Sequence, residues 1–292
     1  MARTPSPALF PPAAAFRLAA PKRGAVPIVA VTAKSLAARL KTEPERTRRW
    51  VRDMRFKGEA GAVLALPGAD GALAGVLAGV PENPGPWDFA PLPGKLPPAH
   101  YCVHPEPDAA IANAAALGWA LAGYRFGRYR KTNHEKSDGP VLIWPRAADR
   151  AAVTRAAEAV FLVRDLINTP ANDLGPAQLA DAARAVAARH GARIRVIAGA
   201  ELKRDHPAVF VVGRAASGDR APCLIDFIWG RPSAPKVTLV GKGVCFDTGG
   251  LDLKASSAMK LMKKDMGGAA HALGLAHMVM AAKLPVRLRV LI

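Results

Sequence analysis

Between residues 240 and 270 the sequence reads VGKGVCFDTGGLDLKASSAMKLMKKDMGGAA. An apolar run stops, and Lys242, Asp247, Lys254 and Asp265 follow in quick succession among glycines. In open α/β sheets, ligands bind in the crevice beyond the carboxyl ends of the strands, which is where such a run falls. Thr248-Gly249-Gly250 directly after Asp247 makes a turn that lets backbone approach a ligand closely. Gly267-Gly268 after Asp265 allows close packing at a helix start. Two carboxylates flanked by lysines offer hard donors suited to magnesium, manganese or zinc. Bound cations would also depress a neighbouring lysine's pKa, which makes a neutral amine donor available. The same residue types form solvated turns and surface ion pairs, and residue type alone leaves both readings open.

Elements on either side must hold these groups. Strand patterns occur at 193–198, 208–212, 223–229 and 237–240, with helical patterns at 176–190 and 265–284. Gly191 closes the first of those helices. Residues 286–292 (VRLRVLI) form a strand apolar enough to lie inside a sheet. This alternation over 170–292 predicts an α/β domain with a largely parallel sheet. Residues 150–167 read as a long helix stopped by Asn168-Thr169-Pro170, so 147–169 is expected to connect two domains.

Upstream, 26–146 reads as a small α/β domain. Residues 27–32 (PIVAVT) form a buried strand, 33–56 a helix, 62–66 and 73–80 a hairpin, 111–124 an alanine-rich helix and 141–144 a strand. Residues 81–100 are dense in proline and glycine and read as a surface loop. Residues 1–25 are expected to be loosely ordered.

Composition narrows the function classes. The chain has 292 residues, half of them apolar, enough for a sizeable core. No apolar run approaches the roughly 20 residues of a membrane-spanning helix, so no membrane association is expected. The net charge is +18, with +9 in each half, which describes diffuse arginine enrichment rather than a dedicated nucleic-acid arm. Cys102, Cys223 and Cys245 are odd in number and unpaired in spacing, which excludes a disulfide framework and a thiolate zinc site. A reducing, cytoplasmic setting follows, and the proline-broken N-terminus makes a poor signal peptide.

The segment closely resembles the signature of the leucyl aminopeptidases, the M17 family of two-metal exopeptidases. The shared features are VGKG-x-x-FD-x-GG, the lysine four residues after the second glycine, and MKKDMGGAA. RDLINTPANDLGP (164–176), AVFVVGRA (208–215) and LGLA with LPVRLRVLI (273–292) extend the likeness. It is strong over 150–292 and loose upstream. The resemblance implies a small N-terminal α/β domain followed by the first half of a mixed, largely parallel α/β/α catalytic domain over 170–292. It implies two divalent ions, Mn2+ or Zn2+. Asp247 would bridge them, and Lys242, as a neutral amine, and Asp265 would ligate one. Lys254 would steady the developing oxyanion of the scissile carbonyl, and Met262 would line the pocket for the substrate's first side chain. Peptides would be the substrates, and full-length relatives assemble as hexamers.

One departure stands out. The family completes its site with a later Asp-Ala-Glu-Gly-Arg motif, which this sequence does not contain. The chain is therefore expected to be a C-terminally truncated relative, inactive by itself and inclined to aggregate. A basic nucleic-acid-binding protein and a non-functional remnant of a longer enzyme are the alternatives. The basic, aromatic run 124–136 carries the nucleic-acid reading through charge and stacking, although it reads more simply as a solvated helix end. Arg46, Arg48, Arg49, Arg52 and Arg55 likewise read as the polar face of a helix. Cys245 reads as a buried strand residue rather than a reactive thiol. His104, His134, His206, His271 and His277 are scattered and read as core or surface residues.

Overall fold

The computed structural model of the protein describes residues 9–129 and 139–292. The chain divides into two compact units, Pro11–Ala157 and Glu158–Ile292, with Leu9 and Phe10 belonging to the second. The division falls inside one long helix.

The first unit holds strands β1 (Leu18–Ala19), β2 (Val26–Val31), β3 (Val63–Pro67), β4 (Leu73–Gly79), β5 (His100–Val103) and β6 (Val141–Ile143). They form one sheet in the order β1-β6-β5-β2-β4-β3. The β3–β4 hairpin is antiparallel and the other pairings are parallel. Its helices are α1 (Leu36–Leu40), α2 (Glu45–Asp53), α3 (Pro86–Phe89) and α4 (Ala109–Ala122). The Asp108 carboxylate caps α4 by accepting from the Ile111 N–H at 2.9 Å.

Three expectations fail in this unit. Residues 33–56 form two helices, because Pro44 lacks an N–H and takes an extended backbone just before Glu45. Of residues 1–25, expected to be loose, 1–8 lie outside the described residues, while Phe16 is buried and Leu18–Ala19 pairs in parallel with β6. The proline-rich stretch 81–100 is not a pure surface loop, since Phe89, Leu92 and Leu96 are buried in the core. The arginines of α2 match the reading as a solvated face: Arg48 pairs with Glu45 at 2.7 Å and Arg49 with Asp53 at 3.5 Å. Of the basic run 124–136, residues 130–136 lie outside the described residues.

The second unit begins within α5 (Arg150–Asn168). It continues with α6 (Pro176–Arg189), β7 (Arg193–Ala198), α7 (Gly199–Asp205), α8 (Pro207–Gly213), β8 (Cys223–Trp229) and β9 (Lys236–Val240). The last elements are α9 (Ser256–Met259), α10 (Gly267–Ala281) and β10 (Arg287–Leu291). The strand order is β7-β8-β10-β9, so the apolar β10 does lie inside the sheet. The sheet is mixed, but the expected parallel majority is absent. Only β9–β10 is parallel, while β7–β8 and β8–β10 are antiparallel. An alternation of strands and helices fixes their order along the chain and leaves strand direction open. Residues 208–212 also differ, forming α8 rather than a strand. Pro207, at the first position, presets the helical φ and outweighs the β-branched valines that follow.

Leu162, Leu179, Val186, Phe227, Leu273 and Leu288 anchor this unit's core between α5, α6, α10 and the sheet. A polar chain crosses it. Glu158 Oε1 accepts from Arg189 at 2.9 Å, and Glu158 Oε2 lies 3.1 Å from His277 Nε2. His277 Nδ1 lies 2.9 Å from His190 Nε2, and His277 is fully buried. A carboxylate accepts only, so His277 carries a proton on Nε2 toward Glu158.

Candidate active site

β9 ends at Val240, and the chain continues through Gly241-Lys242-Gly243. The Gly241 N–H donates to Leu291 O at 2.9 Å, and Lys242 O accepts from the Ala269 N–H at 2.9 Å. Lys242 is thus fixed between β10 and the first turn of α10. A Cβ on Gly241 would lie 2.7 Å from Ala269 Cα and 2.8 Å from Gly268 O. Those neighbours are backbone and cannot swing aside. Gly241→Ala is expected to cost about 1–3 kcal/mol by overpacking, read as a lower urea midpoint. An unchanged midpoint would show that this joint relaxes freely.

Asp265 stands in the 3-10 turn Met262–Met266 that leads into α10. Buried Met266 pins the turn, and Lys263 Nζ donates to Asn168 O at 2.7 Å. Met262 opens the same turn, half-buried. Lys242 Nζ meets Asp265 Oδ2 at 2.8 Å. Oδ2 is shut off from solvent, and the Lys242 ammonium is its close polar partner.

Asp247 belongs to the loop between β9 and α9. Its Oδ1 accepts from the Gly249 N–H at 2.8 Å, and its Oδ2 lies 3.4 Å from Lys254 Nζ. The loop closes as the Lys254 N–H donates to Thr248 O at 2.9 Å. Gly249 has a φ of 91°, and a Cβ there would sit 2.2 Å from Asp252 O, so the turn requires glycine.

The structure therefore pairs the four charged candidates as Lys242–Asp265 and Lys254–Asp247. The close polar contact with Asp265 holds the Lys242 ammonium above its ordinary pKa, and the charges of Asp265 and Asp247 add to this. The Gly249 N–H, then Lys254, hold the Asp247 carboxyl below its usual range. Burial pushes the Cys245 thiol up to about 12, which makes it a packing residue beside the site and not a nucleophile.

These residues fit a hard divalent cation. They supply two carboxylates and a primary amine, and the buried Asp265 Oδ2 already faces one cation, the Lys242 ammonium. The set is small. Among the described residues no three His, Cys, Asp or Glu side chains converge on one point.

The comparisons with known proteins bear on this segment. The family model described as "Cytosol aminopeptidase family, catalytic domain" matches residues 161–292, and "M17 aminopeptidase, N-terminal domain" matches 26–139. A probable cytosol aminopeptidase of Rhodopseudomonas palustris is 33% identical over 269 residues, covering 84% of this chain and 54% of that protein. A crystal structure of the cytosol aminopeptidase from Coxiella burnetii matches with a TM-score of 0.87 at 44% identity, covering 94% of this chain and 60% of that one. This chain belongs to the cytosol aminopeptidase (M17) family.

A probable cytosol aminopeptidase of Rhodococcus jostii is 36% identical over 188 residues, covering 59% of this chain and 36% of that protein. The bottromycin maturation enzyme BotP, solved in complex with Mn, matches with a TM-score of 0.74 at 30% identity, covering 91% of this chain and 58% of that one. The chain spans 36% and 54% of the length of the two curated cytosol aminopeptidases named. All five candidate residues fall within the range of the catalytic-domain match. Sequence reading missed the Glu158–His277–His190 chain. Its members come from α5, α6 and α10, and no local spacing signals their meeting.

Proposed function

We propose that this chain carries part of the active site of a two-metal aminopeptidase that releases leucine-type N-terminal residues from peptides. The observation that carries the reading is the double lysine–carboxylate pairing at Lys242–Asp265 and Lys254–Asp247 within one family-matched segment. Asp247, Asp265 and Lys242 would hold two divalent ions, Mn2+ or Zn2+, with Asp247 shared. Such ions, when bound, supply Lewis acidity and an activated water. Lys242 serves as a donor only once it gives up its proton. Lys254 is partly exposed, and its 3.4 Å contact with Asp247 is loose. It can turn at little cost to a substrate carbonyl and stabilise the charge that grows on its oxygen. Met262 would line the pocket for the substrate's first side chain.

The 292-residue chain is inactive alone in this reading. Two carboxylates and one amine are too few donors for two tightly bound ions, because ligand count and charge set affinity. The exposed Val240, Leu253 and Leu261 around the segment mark apolar surface that a working enzyme covers. Cytoplasmic residence and hexamer assembly belong to the same proposal. Among the described residues no helix is long and apolar enough to cross a membrane. The test is hydrolysis of leucine p-nitroanilide by the purified chain with Mn2+ added. No turnover above the blank is expected. Sustained hydrolysis that Asp247→Ala abolishes would refute the inactivity while keeping the site assignment.

A further inference from the structure

A cleft of about 540 Å3 opens at the end of the second sheet opposite the candidate active site. Ala234 and Val286 line it, just before the starts of β9 and β10, whereas the catalytic segment follows the end of β9. Its volume lies within the range of small-ligand sites. Four basic side chains line it, Arg189, His190, Arg231 and Lys283, and no acidic one does. Trp229, Met280 and Leu284 contribute apolar wall.

The basic groups differ in their commitments. Arg189 is taken up by Glu158 at 2.9 Å, and its guanidinium stacks over the Phe10 ring at 4.0 Å. His190 Nε2 is engaged with His277 Nδ1 at 2.9 Å. Arg231 and Lys283 have no carboxylate within ion-pair distance among the described residues. The backbone under Lys283 is also unusual. It follows α10 with a φ of 52°, the left-handed conformation that glycine normally supplies at a helix end. A lysine there is less favourable for folding than glycine, and it places an unpaired ammonium at the cleft. The turn opposite is fixed: Ala234 N–H donates to Arg231 O at 3.1 Å, and Arg287 N–H to Pro235 O at 2.8 Å.

We propose that this cleft binds a small organic anion, with a phosphate or carboxylate head on Arg231 and Lys283 and an apolar or planar body against Trp229 and Leu284. Two unpaired cations on a fixed turn and a helix end supply charge-assisted hydrogen bonds to the head. The indole and the aliphatic wall take the body.

Isothermal titration calorimetry on the full chain tests this, with phenyl phosphate, phenylacetate, inorganic phosphate and benzyl alcohol at matched ionic strength. The expected result is one-to-one binding of an aryl anion, at least about fivefold tighter than inorganic phosphate, with no binding of benzyl alcohol. Whichever aryl anion binds identifies the head group. Lys283→Gly keeps the left-handed backbone and removes the charge, and Arg231→Ala alters an exposed turn. Each is expected to weaken aryl-anion binding at least about fivefold while the chain stays folded. Failure of both aryl anions to bind overturns the proposal. So does equal affinity for phenyl phosphate and inorganic phosphate, or unchanged binding in both variants.

Discussion

Asp265→Asn is expected to weaken Mn2+ binding to the full chain by at least about tenfold, since ligand charge sets affinity for hard cations. The substitution keeps size and shape and removes one negative charge. Three features make Asp265 the sensitive position. Its Oδ2 is buried, so a metal that displaced the Lys242 ammonium would meet a desolvated carboxylate oxygen. It sits in a turn pinned by Met266 and Lys263, so a replacement cannot move to recover a contact. It also faces Lys242 at 2.8 Å, so its loss disturbs a second proposed donor. Asp247→Asn should act in the same direction. Its Oδ1 stays committed to the Gly249 N–H, which keeps the loop in shape. Titration of free Mn2+ by electron paramagnetic resonance measures both variants. Affinity equal to that of the parent chain would place the metal elsewhere.

The second large effect concerns stability. Glu158→Ala is expected to destabilise the second unit by about 1–3 kcal/mol, the cost of leaving a buried polar group without its hydrogen-bond partner. His277 is fully buried and would lose its acceptor, and Arg189 would lose its carboxylate. Glu158→Gln keeps an acceptor for His277 and should cost less. The same chain makes stability depend on pH. Burial pushes the Glu158 carboxyl up, but the His277 hydrogen bond and the charge of Arg189 outweigh it, and the net pKa is lowered. Its contribution is present above the ordinary carboxylate pKa and fades as pH falls through the lowered folded-state value. Burial first, then the charges of His277 and Arg189, lower the His190 pKa from its ordinary 6.5. Below that value the unfolded chain binds a proton that the folded one resists, so stability again falls with pH. Both groups act in one direction. The urea midpoint should drop as pH falls from 7, first through the His190 part and then, below about pH 5, through the carboxylate part, and Glu158→Ala should remove the latter. A midpoint that stays flat from pH 7 to about pH 3 would show the network contributes little.

The candidate site was legible in the sequence because its chemistry is local. Lys242, Asp247, Lys254 and Asp265 lie on one strand–loop–turn segment, and the glycines that shape it are written between them. β10 was legible as an interior strand from its apolar alternation, and the structure places it between β8 and β9. Other features depend on one residue or on distant partners. Pro44 splits 33–56 into two helices, and Pro207 turns a valine-rich strand pattern into α8. Strand direction in the second sheet is set by packing, which residue type does not encode. The Glu158–His277–His190 chain and the cationic cleft are each assembled by folding from several separate segments. Neither leaves a spacing that periodicity can detect.

The most direct test of the metal-site assignment is anomalous X-ray diffraction at the manganese edge from crystals of the full chain grown with Mn2+. The account predicts an anomalous peak in contact with the carboxylates of Asp247 and Asp265, with the Lys242–Asp265 ion pair opened to admit it. A peak bound to other residues, or no peak with that ion pair intact at saturating Mn2+, would contradict it.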